Sequence, residues 1–311
     1  MNSRKPVPVP VQRPERTIFG APPTSKMRPL LPDCARLVLW RGTERMVPIL
    51  PNTSSEWPRM QVDHVYVIHY TRNHARLHAQ RQQLPQLGVG VSVVAAYDAD
   101  EIDADVMRCM VPVAGRPFAH PWNLTTYYFD PDGKTRRDVT NVAGETHRRG
   151  LSCTLKLYVA LYDMVVRNQY RTALVLEDDA IVRWRYYDHI NRALSELGDH
   201  SAFTILFACS YSSVGWDKLS TAKGVYGLYT KTNDTRVVGL MPACAEVLSA
   251  RGAAHILNSL PILGRIDHTL SDRYYSSGSQ PQQFYVKRYP FIPAMEFTEK
   301  SETVGRRPLL R

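Results

Sequence analysis

The chain has 311 residues, of which 44% are hydrophobic and 10% aromatic, so it can bury a sizeable core and is not a disordered protein. Lysine and arginine number 39 against 29 acidic residues, which gives a formal net charge of +10 at pH 7. The basic residues are scattered rather than striped with aromatics, which argues against nucleic-acid binding. We expect no membrane span or signal peptide, and the compartment stays open.

Residues 1–60 carry repeated prolines and show no sustained periodicity. This pattern predicts a mostly irregular N-terminal arm, with one short strand at "RLVLW". A globular domain is predicted over residues 61–296, followed by a polar tail at 297–311. Five cysteines, an odd number without a C-x-x-C pair, argue against a disulfide framework or a zinc site.

The domain opens with a β-branched and aromatic run, "HVYVIHY", that predicts a strand. "NHARLHAQRQQLPQLG" has the spacing of a helix ending at Gly88, and "VSVVAAYDA" is a second strand. A strand, a helix and a strand in this order predict a βαβ unit and a parallel sheet. Residues 103–150 then resemble a long surface excursion, with a turn at Asp132-Gly133.

The second half predicts further helices and strands. "SCTLKLYVALYDMVVRN" and "YDHINRALSELG" have helical spacing, and the four residues 173–176 between them ("ALVL") predict an interior strand. "FTILFACS" and "RVVGLMP" are expected to be strands, and "QFYVKRYPFIP" is the final element. Ser249 is expected to cap a helix that ends before Pro261.

Three acids, Glu177, Asp178 and Asp179, follow the predicted interior strand directly. Ligands of open α/β sheets gather outside the carboxyl ends of strands, so this is a position for a binding site. In an extended segment Glu177 and Asp179 would point to one side and share a cation, while Asp178 turns away. Carboxylates suit magnesium or manganese; a solvated strand end or a helix cap remains the alternative.

Several motifs, taken in their order along the chain, resemble those of a known enzyme family. "VYVIHYTRNHARLHAQRQQL", "AYDA", "LSCTLKLYVALYDMV" with Cys153, and "ALVLEDDAIV" resemble family-25 glycosyltransferases, which include lipopolysaccharide glycosyltransferases and procollagen galactosyltransferases. "VLSARGAAHIL" and Asp267 in "RIDHTL" follow in the family's order. The resemblance implies a GT-A-like nucleotide-diphospho-sugar transferase fold, with a mixed, mainly parallel sheet flanked by helices.

The same resemblance implies a hexosyltransferase that moves galactose or glucose from a UDP-sugar to a glycan or protein hydroxyl. Glu177 and Asp179 would hold Mn²⁺ or Mg²⁺, which stabilises the leaving diphosphate. An inverting enzyme also needs a base, with Asp267 as first candidate and Glu246 as second. The residues expected to bind the donor are His69, Tyr70, Arg72, Arg76, Asp98, Lys156 and Asp178.

Three departures from the family pattern keep other functions open. His69-Tyr70 stands where Asn-Leu is usual, Lys156-Leu157 replaces a Ser-His pair, and Glu246 stands where an aromatic residue is common. One alternative is a metal-dependent phosphohydrolase or nucleotidyltransferase, which would need a second set of carboxylates. The other is a non-catalytic binding module with the same fold.

Overall fold

The structure, a computed structural model, describes residues 29–110, 127–129, 136–138, 143–198, 203, 205–209, 216–218, 228–231, 244–260, 262, 283–286 and 290–293. Within them the helices are α1 Asp33–Thr43, α2 His74–Gln83, α3 Ala104–Met110, α4 Ala143–Tyr162, α5 His189–Leu197 and α6 Ala250–Leu257. The strands are β1 Met46–Ile49, β2 His64–Ile68, β3 Val91–Val94, β4 Tyr127–Phe129, β5 Arg136–Asp138, β6 Thr172–Glu177, β7 Ala180–Val182, β8 Ile205–Phe207, β9 Trp216–Lys218, β10 Leu228–Lys231, β11 Ala245–Ser249, β12 Gln283–Val286 and β13 Phe291–Pro293.

A mixed sheet organises the described part of the chain. Its nine strands lie in the order β1-β3-β2-β6-β11-β8-β12-β10-β9. The β2–β3, β2–β6 and β8–β12 ladders are parallel, whereas β11 runs antiparallel to both β6 and β8. The β1–β3, β10–β12 and β9–β10 ladders are antiparallel as well. A mixed α/β fold is therefore confirmed, but "mainly parallel" was wrong, because five of the eight ladders in the described part of this sheet are antiparallel.

The predicted βαβ unit is present at residues 64–94. β2 and β3 are parallel neighbours, and α2 connects them. The Asn73 side chain caps α2 by accepting a hydrogen bond from the backbone N–H of Arg76. After one 3₁₀ turn the chain passes Gly88, whose φ of 69° is the left-handed conformation that favours glycine. β6 then lies beside β2 as an interior strand, as predicted.

The segment "RLVLW" is helical rather than a strand, so this prediction was wrong. The buried positions of α1 are Ala35, Val38, Leu39, Gly42 and Thr43, and their spacing is that of one helical face. β1 pairs with β3 and forms one edge of the sheet, with Pro48 opposite Ser92. The part of residues 1–60 that the structure describes thus contributes a helix and a strand to the fold.

Two hydrophobic cores lie on the two faces of the sheet. Alternation along β6 sends Val175 into the core formed with α4 and Leu174 into the core formed with α5. Tyr158 is a fully buried side chain on the α4 side, and Ile190 is fully buried on the α5 side. Among the helices that the structure describes, none is long and apolar enough to cross a membrane.

A disulfide joins Cys209 and Cys244, whose Cα atoms are 5.7 Å apart. The expectation that the cysteines form no disulfide is therefore corrected for this pair. The two residues lie 35 positions apart in sequence, at the ends of the neighbouring strands β8 and β11. A search for closely spaced cysteines does not detect a pair that only the sheet order brings together.

Several predicted features lie outside the described residues. These are the strand at "RVVGLMP", the tail at 297–311 and Asp132-Gly133. The predicted turn at Asp132-Gly133 falls between β4 and β5, which pair antiparallel. The capped helix near residue 250 is confirmed, because Ser249 accepts a hydrogen bond from the backbone N–H of Gly252 at the start of α6.

The packing of α1 on α4 leads to the first prediction. A Cβ added at Gly42 would lie 2.5 Å from Cγ2 of Val159 and 3.0 Å from Cε2 of Tyr97. Gly42→Ala should therefore lower the free energy of unfolding by about 1–3 kcal/mol, although alanine favours helix. Urea denaturation measures this change. Arg41→Ala on the exposed side of α1 is the control, and equal stabilities of the two variants would contradict the prediction.

Candidate functional site

The carboxylate of Asp178 lies at the centre of a buried polar cluster. It accepts hydrogen bonds from Nδ1 of His69 at 2.8 Å, the backbone N–H of Tyr70 at 3.1 Å and Nη1 of Arg76 at 2.7 Å. Burial opposes ionisation of this group, but the hydrogen bond from His69 and the positive charge of Arg76 outweigh it, so the pKa of Asp178 lies below its usual range. Asp178 is therefore a stably ionised carboxylate, and both of its oxygens accept hydrogen bonds from the protein.

Helix α2 holds the acidic turn against the sheet. Nε2 of Gln80 donates to the backbone carbonyls of Asp178 and Ala180 at 2.8 and 2.9 Å. Gln83 donates to the carbonyl of Ala180 at 2.7 Å and accepts from the backbone N–H of Val182 at 3.0 Å. Because these groups would otherwise be buried polar atoms without partners, the two glutamines fix the backbone where β6 passes into β7.

A second buried ion pair lies beside the first group. Nζ of Lys156, on α4, contacts both Oδ1 of Asp98 and the backbone carbonyl of His69. The other oxygen of Asp98 accepts hydrogen bonds from the backbone N–H and the hydroxyl of Thr71. Lys156 and Asp98 are 1% and 2% exposed, so each charge depends on the other for its stability in the interior.

Asp179 is placed differently from Asp178. Its Oδ1 is buried and makes no hydrogen bond within the protein, while its Oδ2 lies 3.8 Å from Nη2 of Arg76. Burial is the main cause that raises the pKa of Asp179, and the attraction of Arg76 only partly opposes it. Asp179 is thus a carboxylate with unused capacity to bind a cation or a donor group.

A cavity of about 690 Å³ opens next to this acid. Asp178 and Asp179 lie at its rim with Ala180, and the indole rings of Trp57 and Trp184 stack at 5.0 Å with an interplanar angle of 22°. The remaining lining residues are mostly polar and comprise Ser54, Glu56, Ala79, Gln80, Gln82, Gln83, Gln86 and Ile181. The cavity therefore combines aromatic faces, amides and a carboxylate, a set suited to a polyhydroxylated ligand.

The three acids of the motif are not arranged as the sequence alone predicted. β6 ends at Glu177, and residues 178–179 form a turn, so strand alternation does not extend to Asp179. The carboxylate of Asp178 accepts hydrogen bonds from His69, Tyr70 and Arg76 instead of lying free on the far side of the turn. Asp178 and Asp179 line the cavity, whereas Glu177 is not among its lining residues.

The other predicted donor-binding residues fall into two groups. His69, Tyr70 and Arg76 meet at Asp178, while Lys156 and Asp98 pair with each other. Arg72 is largely exposed and pairs with Asp100. The structure thus brings most of these residues to the carboxyl ends of β2 and β6, but it pairs their charges internally.

Neither predicted base is positioned as a reacting group by the described structure. Asp267 lies outside the described residues. Glu246 is 1% exposed in β11, opposite Val175 of β6 and Phe207 of β8. It lies on the face of the sheet covered by α4, since Val175, Phe207 and Leu248 belong to that core.

The described residues alone do not supply a complete set of side-chain ligands for a divalent cation at this site. No cluster of three or more His, Cys, Asp or Glu side chains that could hold a metal ion occurs among the described residues. Asp179, with one buried oxygen that lacks a hydrogen bond, is the group best suited to contact such an ion. Magnesium and manganese commonly combine one or two carboxylates with water and substrate phosphates.

The sequence analysis did not identify the uncharged residues that line the site. Trp57 lies in the segment predicted to be an irregular arm, and Gln80 and Gln83 were treated only as helix formers. The three-residue spacing of these glutamines on α2 was a usable signal, because it places two amides on neighbouring turns of one helix face. Trp184 carried no comparable signal, since only the fold brings it to Trp57.

Comparison with known proteins gives no family assignment. The chain matches no protein-family model and no curated protein. The functional inference therefore depends on the residues and their geometry.

The buried Lys156–Asp98 pair gives the second prediction. Lys156→Met removes the cation and leaves Asp98 buried without its counter-charge, so it should lower the free energy of unfolding by about 3–5 kcal/mol. Chemical denaturation measures the change. Arg45→Met is the matched control, because Arg45 pairs with Glu101 at 2.6 Å with both side chains partly exposed. That change should cost about 1 kcal/mol or less, and similar losses in both variants would contradict burial as the deciding factor.

The third prediction concerns the pH dependence of Asp179. Because folding raises the pKa of this carboxyl, its ionisation destabilises the fold above that pKa, and the penalty vanishes below the pKa of the unfolded chain. Asp179→Asn should therefore raise the melting temperature at pH 7, with a gain that shrinks toward about pH 4.

Asp178→Asn is the matched comparison and should have the opposite sign. Folding lowers the pKa of Asp178, so this carboxylate stabilises the fold above its usual pKa, and the contribution is lost as the pH falls through the folded value. Melting curves of both variants between about pH 4 and pH 8 distinguish the two acids. A destabilised Asp179→Asn protein at pH 7 would contradict the assignment.

Proposed function

We propose that this protein is a glycosyltransferase that transfers a hexose, galactose or glucose, from a UDP-sugar to a hydroxyl of a glycan or protein acceptor. The observation that carries the proposal is the placement of Asp179. Its side chain, which is 12% exposed, follows the interior strand β6, has one buried oxygen without a hydrogen bond and lines a cavity of about 690 Å³. Ligand sites in open α/β sheets occur at this end of the strands.

The cavity lining supports a sugar-containing ligand. Its volume lies within the usual range for small-molecule sites, about 300–1,000 Å³. The apolar ring faces of Trp57 and Trp184 suit the C–H face of a sugar, while Glu56 and Gln82 offer groups for its hydroxyls. The mixed sheet with helices on both faces is compatible with a GT-A-like fold, which the ordered motifs of the sequence imply.

The proposal includes a divalent cation for which the protein would supply only one or two ligands. When bound, Mn²⁺ or Mg²⁺ would supply Lewis-acid stabilisation of the diphosphate leaving group. Asp179 is the protein ligand that we assign to it, and Glu177 is the second candidate. Asp178 has a positioning role instead, since its oxygens are held by His69, Tyr70 and Arg76.

Not all of the charged residues around Asp178 would bind the donor. Some of them would instead hold the backbone of the site in position. Lys156 is committed to Asp98, so its role is to fix the ends of β2 and β3 rather than to neutralise phosphate. Arg72 is an exposed cation that follows β2, and its guanidinium suits a diphosphate. Asp267 remains our first candidate for the base that activates the acceptor hydroxyl, with Glu246 second.

A specific observation also favours a second candidate function, a sugar-binding module without catalysis. The buried carboxylates of Asp98 and Asp178 are each paired with a cation of the protein, Lys156 and Arg76 respectively, and such pairs suit a rigid scaffold as well as an active site. Such a module would bind a nucleotide sugar or a glycan in the same cavity without turnover.

The fourth prediction tests donor binding. UDP-galactose or UDP-glucose with Mn²⁺ should raise the melting temperature of the wild-type protein, because a ligand specific to the folded state stabilises it by mass action. Asp179→Asn should lose this manganese-dependent shift even though its own melting temperature is higher. Asp188→Asn, which changes a half-exposed acid paired with Arg192, is the matched control and should retain the shift.

Turnover then separates the two candidate functions. UDP release that requires both donor and acceptor supports the transferase, whereas a thermal shift without UDP release supports the binding module. Asp267→Asn should lower turnover by about 10²-fold while leaving the donor-dependent shift unchanged. An unchanged shift in Asp179→Asn would contradict the assignment of Asp179, and the absence of any nucleotide-sugar response in the wild type would contradict the proposed function.

A further inference from the structure

Two of the three cysteines outside the disulfide lie next to each other in space. Cys34 is in the first turn of α1, and Cys109 is in the last turn of α3. Their side chains are hydrogen-bonded to each other, and both line a second cavity of about 570 Å³. Cys34 is exposed and Cys109 is partly buried, so the thiol of Cys34 is the more accessible of the two.

The backbone around this thiol pair is firmly held on both sides. Ala35, next to Cys34, is fully buried, and so is Met110, next to Cys109. The backbone carbonyl of Met110 also accepts a hydrogen bond from the N–H of Ile262 at 2.7 Å. A disulfide bond is about 2.05 Å long, which is shorter than a hydrogen bond between two thiols, so the two side chains must rotate toward each other for the bond to form.

We infer that Cys34 and Cys109 are a covalent modification site, a thiol pair that closes to a disulfide by exchange with a low-molecular-weight disulfide such as oxidised glutathione. The Cys34 thiolate attacks one sulfur of the oxidant, forms a mixed disulfide and releases one glutathione thiolate. Cys109 then attacks the sulfur of Cys34 and releases the second. Two protein thiols are oxidised, one glutathione disulfide is reduced, and the two thiol protons pass to the released thiolates.

The environment assigns the two thiols different parts in this exchange. The hydrogen bond to Cys34 and burial raise the pKa of Cys109 to about 11, so Cys109 stays protonated while both thiols are reduced. Cys34, the exposed thiol, is therefore the one that meets the oxidant. Once Cys34 is in the mixed disulfide, its hydrogen bond to Cys109 is gone, and the principal cause that disfavours the Cys109 thiolate is removed.

The consequence is a covalent link between the N-terminal helix and the segment after β3. α1 packs on α3 and α4, and β1 directly after it pairs with β3 at the sheet edge. A bond between residues 34 and 109 closes a long loop, which restricts the unfolded chain more than the folded one. By contrast, Cys209 and Cys244 are each 1% exposed, so a mild reductant should open the Cys34–Cys109 bond first.

The test uses the full-length protein, reduced mildly under native conditions and then treated with excess oxidised glutathione. We expect the wild type to become lighter by about 2 Da and to yield a non-reduced peptide pair joining Cys34 to Cys109. Its melting temperature should rise by about 5 °C. Cys153→Ser, the control at the remaining thiol, should behave like the wild type.

Cys34→Ser and Cys109→Ala should lose both the cross-link and the rise in melting temperature, and Cys109→Ala should instead retain a stable glutathione adduct on Cys34. A stable glutathione adduct on Cys34 of the wild-type protein would overturn the assignment of Cys34 and Cys109 as a disulfide-forming pair. A cross-link that involves Cys153 would overturn it as well. A Cys34–Cys109 bond that forms without any rise in melting temperature would overturn the stabilising link. Equal rates of reduction for the two disulfides would overturn the proposed order of opening.

Discussion

The buried carboxylate of Asp178 is the interaction on which the rest of the site depends. It receives hydrogen bonds from the end of β2 and from α2, while its own backbone belongs to the turn that follows β6. Burying a negative charge is costly unless it is paired and hydrogen-bonded. β2, α2 and the acidic turn after β6 are consequently held in one arrangement. Gln80 and Gln83 extend this restraint to the start of β7.

Two adjacent aspartates in this arrangement have opposite physical roles. Asp178 is supported by its neighbours and contributes to folding, whereas Asp179 is buried without comparable support. A group that weakens the fold persists where its unused bonding capacity is needed, and sites that bind charged ligands are common places for such a group. The contrast within one dipeptide is therefore a stronger indication of a binding site than the run of three acids in the sequence.

Local sequence patterns predicted the elements whose side chains follow a clear period. The βαβ unit, the interior strand β6 and the helices α4 to α6 belong to this group, and so does the cap at Ser249. The clustering of His69, Arg76 and Asp178 at strand ends could also be predicted, because parallel strands end at one edge of a sheet.

Other features could not be predicted, because they depend on contacts between distant residues. β11 ends at Ser249, the residue identified in the sequence only as a helix cap, and its antiparallel pairing with β6 and β8 joins segments that are distant in the chain. "RLVLW" has the composition of a strand, but its burial follows the helical period of α1. The pairing of Lys156 with Asp98, of Trp57 with Trp184 and of Cys209 with Cys244 likewise becomes visible only in three dimensions.

The position of Pro48 in β1 has a consequence for self-association. β1 is an outer strand of the sheet, with Val47 exposed and Leu50 largely exposed beside it, and an outer strand of this kind invites another chain to add to the sheet. Proline has no backbone N–H, and it is tolerated within a strand where that group would point outward. A strand from another chain that approached this edge would lack a hydrogen-bond donor at Pro48. The proline therefore disfavours aggregation by strand addition at an edge that is otherwise apolar.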